Sequence, residues 1–284
     1  MASVKVITDS TSDLPGEMVE RLGISVVPLN VHFGDETFLD GVEMTSDEFL
    51  QRLSTARQMP RTSQPSPEAF RRSYADAAAA GADGILCITI SSKLSGTYNS
   101  ALLGARDFPL PVRVLDSGSA SMGIGFPAQA AAEAASSGAS LDEVERIARD
   151  VIGRTDILFY VDTLEYLQRN GRIGRAASLV GSILNVKPVL TVAEGEVEQY
   201  QRTRTRGKAI QALLDWTRQK PRERLSVMWS ENEGDLNRLL EGLSESFPRE
   251  QIVLVRYGPV LGAHVGPGAM GVIAVDTPGG DGSR

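Results

Sequence analysis

This chain is short of the side chains that carry most metal and redox chemistry. Cys87 is its only cysteine, so an intrachain disulfide and a cysteine-based zinc site are excluded. Cys87 sits inside the apolar run from Ile85 to Ile90, where a thiol serves as a small buried filler. Only His32 and His264 are present, so no multi-histidine metal centre is expected. Aromatic residues make up 6% of the chain and the net charge is −7. A broad nucleic-acid surface needs basic charge and stacking rings, so no nucleic-acid partner is expected. No window approaches the roughly 18 unbroken apolar residues of a membrane helix. The first residues enter a strand almost at once, without the apolar core of a signal peptide. A soluble, cytoplasmic protein is the expectation.

Several catalytic signatures are missing as well. Neither a Gly-x-Ser-x-Gly elbow nor a Walker A sequence occurs, so serine-hydrolase and P-loop chemistry lack their basic parts. Gly123-Ile124-Gly125-Phe126-Pro127-Ala128 formally fits the dinucleotide pattern. A Ser-rich turn separates it from the preceding strand, however, and Pro127 falls inside it. A helix start packed closely on its neighbours explains those glycines better. No cofactor is expected.

What is present is a regular alternation of strand and helix. Apolar runs at Val4 to Thr8, Ile24 to Phe33, Ile85 to Ile90 and Val112 to Ser117 read as strands. Helices are expected between them, one opened by Ser12 or Asp13, others capped by Thr45 and Ser66, and one with a capping box at Ser140. This pattern means a mostly parallel, layered sheet. Beyond Ile157 the character changes: Pro188 to Gln201 folds back on itself through Glu194-Gly195, a hairpin that requires antiparallel pairing. Further strands are expected at Leu225 to Trp229, Ile252 to Val255 and Val272 to Val275. The fold class is therefore α/β in two lobes, a parallel one over residues 1–155 and a mixed-sheet one over 156–284. The Gly-rich tail from Pro278 to Arg284 is expected to be disordered.

Five polar segments stand out. Ser91 to Thr97 carries four hydroxyls among Ser91, Ser92, Ser95 and Thr97, with Gly96 beside them, between a buried strand and a helix. Ligands of open α/β sheets bind at such carboxyl-end turns, and a helix start favours an anion. Pro60 to Pro67 places Thr62 and Ser63 in a Pro-stiffened loop; Ser66 is used as a cap with Pro67 behind it. Capping leaves Thr62 and Ser63 unexplained, since a loop needs no particular hydroxyl there; a plain polar surface loop is the alternative. Thr163 to Gly174 forms a short helix stopped at Asn170-Gly171, from which Arg169 and Arg172 project. Arg202, Arg204 and Arg206 would point the same way on an extended chain and form a basic stripe, ordinarily a solubility feature. Leu261 to Ala269 reads as a glycine-rich loop around His264.

Taken together, these residues resemble the DegV family. The resemblance rests on Ile7-Thr8-Asp9-Ser10-Thr11-Ser12-Asp13-Leu14-Pro15, Thr62-Ser63-Gln64-Pro65 and Ser95-Gly96-Thr97-Tyr98. It continues through Leu164-Glu165-Tyr166-Leu167 with Gly171-Arg172-Ile173, Lys187-Pro188, and Gly262-Ala263-His264-Val265-Gly266-Pro267-Gly268. It spans about residues 3–276 as one domain. It implies a two-lobe α/β protein that buries one long-chain fatty acid between its lobes. It further implies a lipid-binding subunit without a catalytic centre, which presents the carboxylate to a separate ATP-dependent fatty acid kinase subunit. By the same resemblance Thr62 and Ser95 bind the carboxylate, His264 and Arg172 neighbour it, Ser63 and Gly96 lie close by, and Arg202 docks the kinase. Peripheral membrane contact during lipid exchange is compatible with that role. Two other classes stay open on the residues alone: a stand-alone lipid hydrolase with Ser95 as nucleophile and His264 as base, and a small-anion-binding module. Acyl length, unsaturation and oligomeric state are not legible.

Overall fold

The computed structural model describes residues 3–179 and 186–279. The chain opens with β1 (Val4–Asp9), a 3-10 turn at Ser10–Ser12, and α1 (Gly16–Leu22). The helix expected at Ser12 or Asp13 thus starts later. Asp13 takes a left-handed conformation and Pro15 caps the helix. Next come β2 (Ser25–Val27), β3 (Asn30–Phe33) and β4 (Glu36–Leu39). The single strand expected from Ile24 to Phe33 is broken at Pro28, which has no N–H to give a ladder. Its two pieces belong to different sheets.

Then follow α2 (Ser46–Thr55), β5 (Arg61–Ser63), α3 (Pro67–Ala79), β6 (Gly84–Thr89) and α4 (Thr97–Ala105). After these come β7 (Val112–Asp116), α5 (Met122–Ser136) and α6 (Leu141–Arg154). Thr45 makes a full capping box on α2, Ser66 caps α3 as expected, and Ser140 caps α6 through its hydroxyl, with the reciprocal Glu143 half of the expected box not among the described bonds. The later residues form β8 (Thr155–Tyr160), α7 (Glu165–Arg169), β9 (Lys187–Ala193), β10 (Glu196–Thr203), α8 (Arg206–Thr217) and β11 (Arg222–Trp229). They finish with α9 (Glu233–Leu243), β12 (Ile252–Arg256), α10 (Pro259–Val265) and β13 (Met270–Asp276). Beyond residue 279 the expected disordered tail lies outside the described residues.

Three sheets result. The first, β2-β1-β6-β7, is wholly parallel. β6 is buried along its whole length, which is why it reads as an unbroken apolar run. Val6, Leu86 and Ile88 pack on the α5 side, while Ile7, Ile85 and Cys87 pack with Phe70 and Tyr74 of α3. The second sheet is β10-β9-β8-β13-β11-β12, antiparallel except for the β11–β12 pair. Its hairpin turns at Glu194 and Gly195, both with positive φ. The third, a small antiparallel sheet β4-β3-β5, was not expected from the sequence.

Period-2 alternation splits the faces of the six-stranded sheet. Leu158, Tyr160, Leu225 and Val227 cluster with the apolar faces of α8 and α9. Ile157, Phe159 and Met228 face the other way, in a cluster that includes Met122 and Ile124 of α5. Gly123 and Gly125 open α5 where an added Cβ would fall 2.0 Å from Ser119 Oγ and 2.6 Å from Met122 Sδ. Close packing therefore accounts for the dinucleotide-like spacing. Among the described residues, no helix is long and apolar enough to cross a membrane, and no cluster of His, Cys, Asp or Glu could hold a metal.

Candidate functional site

A cavity with about 750 Å³ of empty space, mouth included, lies between the second sheet and the carboxyl end of the first. Its wall is mainly apolar: Ile157 and Phe159 of β8, Val192 of β9, Val197 of β10, Met228 of β11, and Leu29, Ile90, Leu94 and Leu167. Val260, Leu261 and Val265 reach it from α10. The polar lining residues are Thr62, Ser63, Gln64, Ser95, Ser121, Arg172 and His264. Arg172 is the one formally charged side chain on the described wall. A wall of this polarity suits a mostly apolar ligand oriented by a few polar groups.

The polar residues are connected. Thr62 Oγ1 lies 2.8 Å from His264 Nε2. Burial, and next the Arg172 guanidinium, push the His264 imidazole down to about 4, so the ring is neutral near pH 7. A neutral ring with its proton on Nε2 donates to Thr62 and frees the Thr62 hydroxyl proton for an acceptor in the cavity. His264 Nδ1 is buried without a partner among the described residues. Arg172 donates from Nε to the Leu94 carbonyl at 3.0 Å and from Nη1 to the Asn170 carbonyl at 2.8 Å. It thereby fixes the segment that carries Ser95 and uses two of its five donors. Ser95 Oγ is 2.8 Å from Thr97 Oγ1 and accepts the Thr97 N–H at 3.3 Å, at the start of α4. The wall thus carries one guanidinium, four hydroxyls and a neutral imidazole, with no carboxylate among the described residues, a set of groups chemically suited to an anion.

Several expectations need correction. Thr62 is not in a loop: it lies on β5, an edge strand of the small antiparallel sheet. It reaches the same cavity wall as Ser95 because that sheet packs against α10. His264 is not in a glycine-rich loop either. It occupies the last turn of α10, and only Gly266 to Ala269 form the loop. Of the four hydroxyls from Ser91 to Thr97, Ser95 alone lines the cavity. Ser91 instead donates to the Gly195 carbonyl at 2.7 Å, tying the β9–β10 hairpin to this segment. Gly96 is the N-cap of α4 and stands off the wall, where an added Cβ would come 3.1 Å from Gln64 Nε2. Ser63 reaches the wall, but its hydroxyl is 2.9 Å from His32 Nε2, so each member of the Thr62-Ser63 pair meets one of the two histidines.

The basic stripe does not form. β10 ends at Thr203, and Arg206 begins α8, where it pairs with Asp162 and Asp235. Arg202 is exposed, bonds Gln199 at 3.2 Å, and does not line the cavity. Gln64 and Ser121 were missed as lining residues. Gln64 stood inside a quoted motif, but nothing in the sequence ties Ser121 to the cavity: its φ of +54° shows only in three dimensions.

The chain is a three-sheet α/β protein with an apolar cavity that carries a few polar groups at one end. Residues 3–277 match the DegV family, described as an uncharacterised protein family. This chain belongs to the DegV family. It is 40% identical over 275 residues to a DegV domain-containing protein of Streptomyces coelicolor, covering 95% of this chain and 97% of that one. It is 34% identical over 277 residues to a fatty acid-binding protein of Thermotoga maritima, covering 94% and 96%. A solved DegV family protein of Thermus thermophilus, described for its fatty acid binding, superposes with a TM-score of 0.90 at 38% identity, covering 97% of this chain and all of that one. A second solved structure, a DegV lipid-binding protein of Thermotoga maritima, superposes with a TM-score of 0.86 at 34% identity, covering 97% of this chain and 99% of that one.

Proposed function

We propose that this chain holds one long-chain fatty acid in the cavity, between its halves at residues 1–155 and 156–284, with the carboxylate at Thr62, Ser95, His264 and Arg172. The observation that carries the reading is the junction of an apolar cavity with a polar end that holds a guanidinium, hydroxyls and a neutral imidazole and no carboxylate among the described wall residues. About fifteen buried methylenes at about 0.8 kcal/mol each give on the order of 12 kcal/mol gross, less the cost of ordering the chain. The tail supplies affinity and the polar end supplies orientation.

The same reading makes the chain a carrier that presents the carboxylate to a separate ATP-dependent kinase subunit. Phosphorylation uses an oxygen of the substrate itself, so the carrier needs no catalytic base. Arg202, exposed and away from the wall, is the proposed kinase contact. A hydrolase reading would need Ser95 paired with His264, yet His264 is engaged by Thr62 and Ser95 by Thr97.

Native mass spectrometry of the protein purified from cells tests this reading. One retained long-chain acid per chain is expected, with no turnover of esters or ATP by the pure protein. Robust turnover lost on Ser95→Ala, or a sugar or phosphate in place of the lipid, would overturn it.

A further inference from the structure

α10 separates two spaces. Val260, Leu261, His264 and Val265 line the cavity, whereas Gly258 and Pro259 line an outer groove together with Asp13 and Asp40. The Gly258 N–H donates to Asp13 Oδ1 at 2.9 Å, and the Val260 N–H donates to Asp40 Oδ1 at 3.2 Å. Each carboxylate's second oxygen takes a serine hydroxyl at 2.6 Å, from Ser121 to Asp13 and from Ser10 to Asp40. Ser121 itself lines the cavity, so Asp13 touches the wall by two routes. The fit is close: an added Cβ on Gly258 would lie 3.0 Å from Asp40 Oδ1. At its other end, α10 is held by Asn170 on the Ala263 carbonyl and by the Tyr257 hydroxyl on the Gly266 carbonyl, both at 2.8 Å. A helix of seven residues has little stability of its own, so these grips decide where it sits.

We propose that Asp13 and Asp40 are positioning residues for the head-group site: they clamp the first turn of α10 from outside the cavity and so fix where His264 meets Thr62. The proposal rests on the reading that His264 and Thr62 face the carboxylate of a fatty acid. An ionised carboxylate accepts an amide hydrogen bond more strongly than a protonated one. The clamp is therefore tight when both aspartates are charged and loosens when they are not.

The surroundings place that change near neutral pH. Burial raises Asp40 to about 6 and Asp13 to about 7, and the neighbouring Asp9 carboxylate adds to both. Asp13 and Asp40 also oppose each other. From the end of β12, Arg256 lines the same groove but is committed to Asp47 and to the Ser230 carbonyl. The Tyr257 phenol is bonded to Ser230 and Gly266. No cation pairs with the two aspartates among the described residues. His264, held near 4, keeps one charge state while the clamp titrates.

The experiment uses the full chain, a fatty acid and the fatty alcohol of equal length, titrated from about pH 8 to about pH 5.5. In the wild type the preference for acid over alcohol should fall about tenfold over that range, within the span typical of coupled sites. In Asp13→Asn/Asp40→Asn it should be low at all pH values and flat. The His264 imidazole resonance, identified by its loss in His264→Gln, should move in the double variant without any lipid present. In the lipid-free wild type it should report a midpoint at about 6 to 7, although its own ring titrates at about 4. A flat acid preference in a wild type that binds both ligands, or an imidazole signal blind to that pH range, overturns the clamp. Loss of lipid binding alone, with the imidazole still following the aspartates, would sink the fatty-acid reading instead. If the double variant fails to fold, the wild-type titrations decide.

Discussion

Two polar clusters flank α10, and they differ in how completely they are satisfied. Outside the cavity, every carboxylate oxygen of Asp9, Asp13 and Asp40 accepts a donor from the chain. Inside, the set is incomplete: Arg172 has spare N–H groups, the Thr62 hydroxyl reaches the cavity wall, and His264 Nδ1 is buried without a partner among the described residues. A closed set of hydrogen bonds holds architecture in place, because leaving any member unpaired in the interior is costly. An open set of donors beside an apolar space is what a bound anion completes. Both clusters contain Ser, Thr and charged residues, so composition alone does not separate them. Bookkeeping of their partners does.

The contrast can be broken or sharpened, beginning with the largest effect. The three aspartates have folded pKa values raised from 3.8 to about 6, 7 and 6 for Asp9, Asp13 and Asp40. Their contribution to stability is thus fully present below 3.8 and is lost as pH rises through about 6 to 7. Denaturant melts should show stability falling by about 3 kcal/mol or more from about pH 5 to about pH 8 on their account. His264 works oppositely below about 6.5, because its folded value is depressed. The comparison is therefore made in His264→Gln, with and without Asp13→Asn/Asp40→Asn. Equal pH slopes in the two would mean that the outer cluster is not buried as described.

Gly266→Ala comes next. Gly266 has φ +74° and an added Cβ would lie 2.4 Å from the Tyr166 ring. A cost of about 3 kcal/mol in thermal or chemical stability is expected, with weaker lipid binding as the end of α10 shifts. A neutral effect would show that the segment can move freely and that α10 need not be held.

His264→Gln should reach the head group alone. It removes the neutral ring that orients Thr62 and should weaken fatty-acid binding by about 1 kcal/mol, with the alcohol unchanged in a direct titration. The smallest effect belongs to Arg202→Ala. Lipid occupancy should stay within about 0.5 kcal/mol of wild type, as for other exposed positions, while acyl-phosphate formation by a partner kinase slows. Lost occupancy with normal kinase coupling would move Arg202 into the fold or the pocket.

Legibility in the sequence followed local rules. β6, the caps at Thr45 and Ser66, and the Glu194-Gly195 hairpin were readable because each is specified within a few neighbouring residues. The β4-β3-β5 sheet was not, because its strands are three or four residues long and the break at Pro28 lies inside an apolar run. Thr62, Ser95 and His264 were legible as unusual residues, and the family resemblance gave them a role. Their placement on one wall was not legible, since it depends on α10 packing against β5. Asp9 and Asp13 stand in the motif from Ile7 to Pro15 and Asp40 in none, and the bonds of Asp13 and Asp40 to the start of α10, more than two hundred residues beyond, are not legible in it. Arg202, Arg204 and Arg206 share a strand period in the sequence, but β10 ends at Thr203 and the chain turns to start α8 at Arg206.

The most direct test of the head-group site is a paired titration of a long-chain fatty acid and the fatty alcohol of equal length against wild type and Thr62→Ala/Ser95→Ala. A hydrogen bond to a charged group is worth roughly 1.5–3 kcal/mol. The double variant should therefore lose acid affinity by one to a few powers of ten and keep most of its alcohol affinity, because the apolar wall from Ile157 to Met228 is untouched. Equal losses for acid and alcohol, or no loss with the fold intact, would contradict a carboxylate site at Thr62 and Ser95.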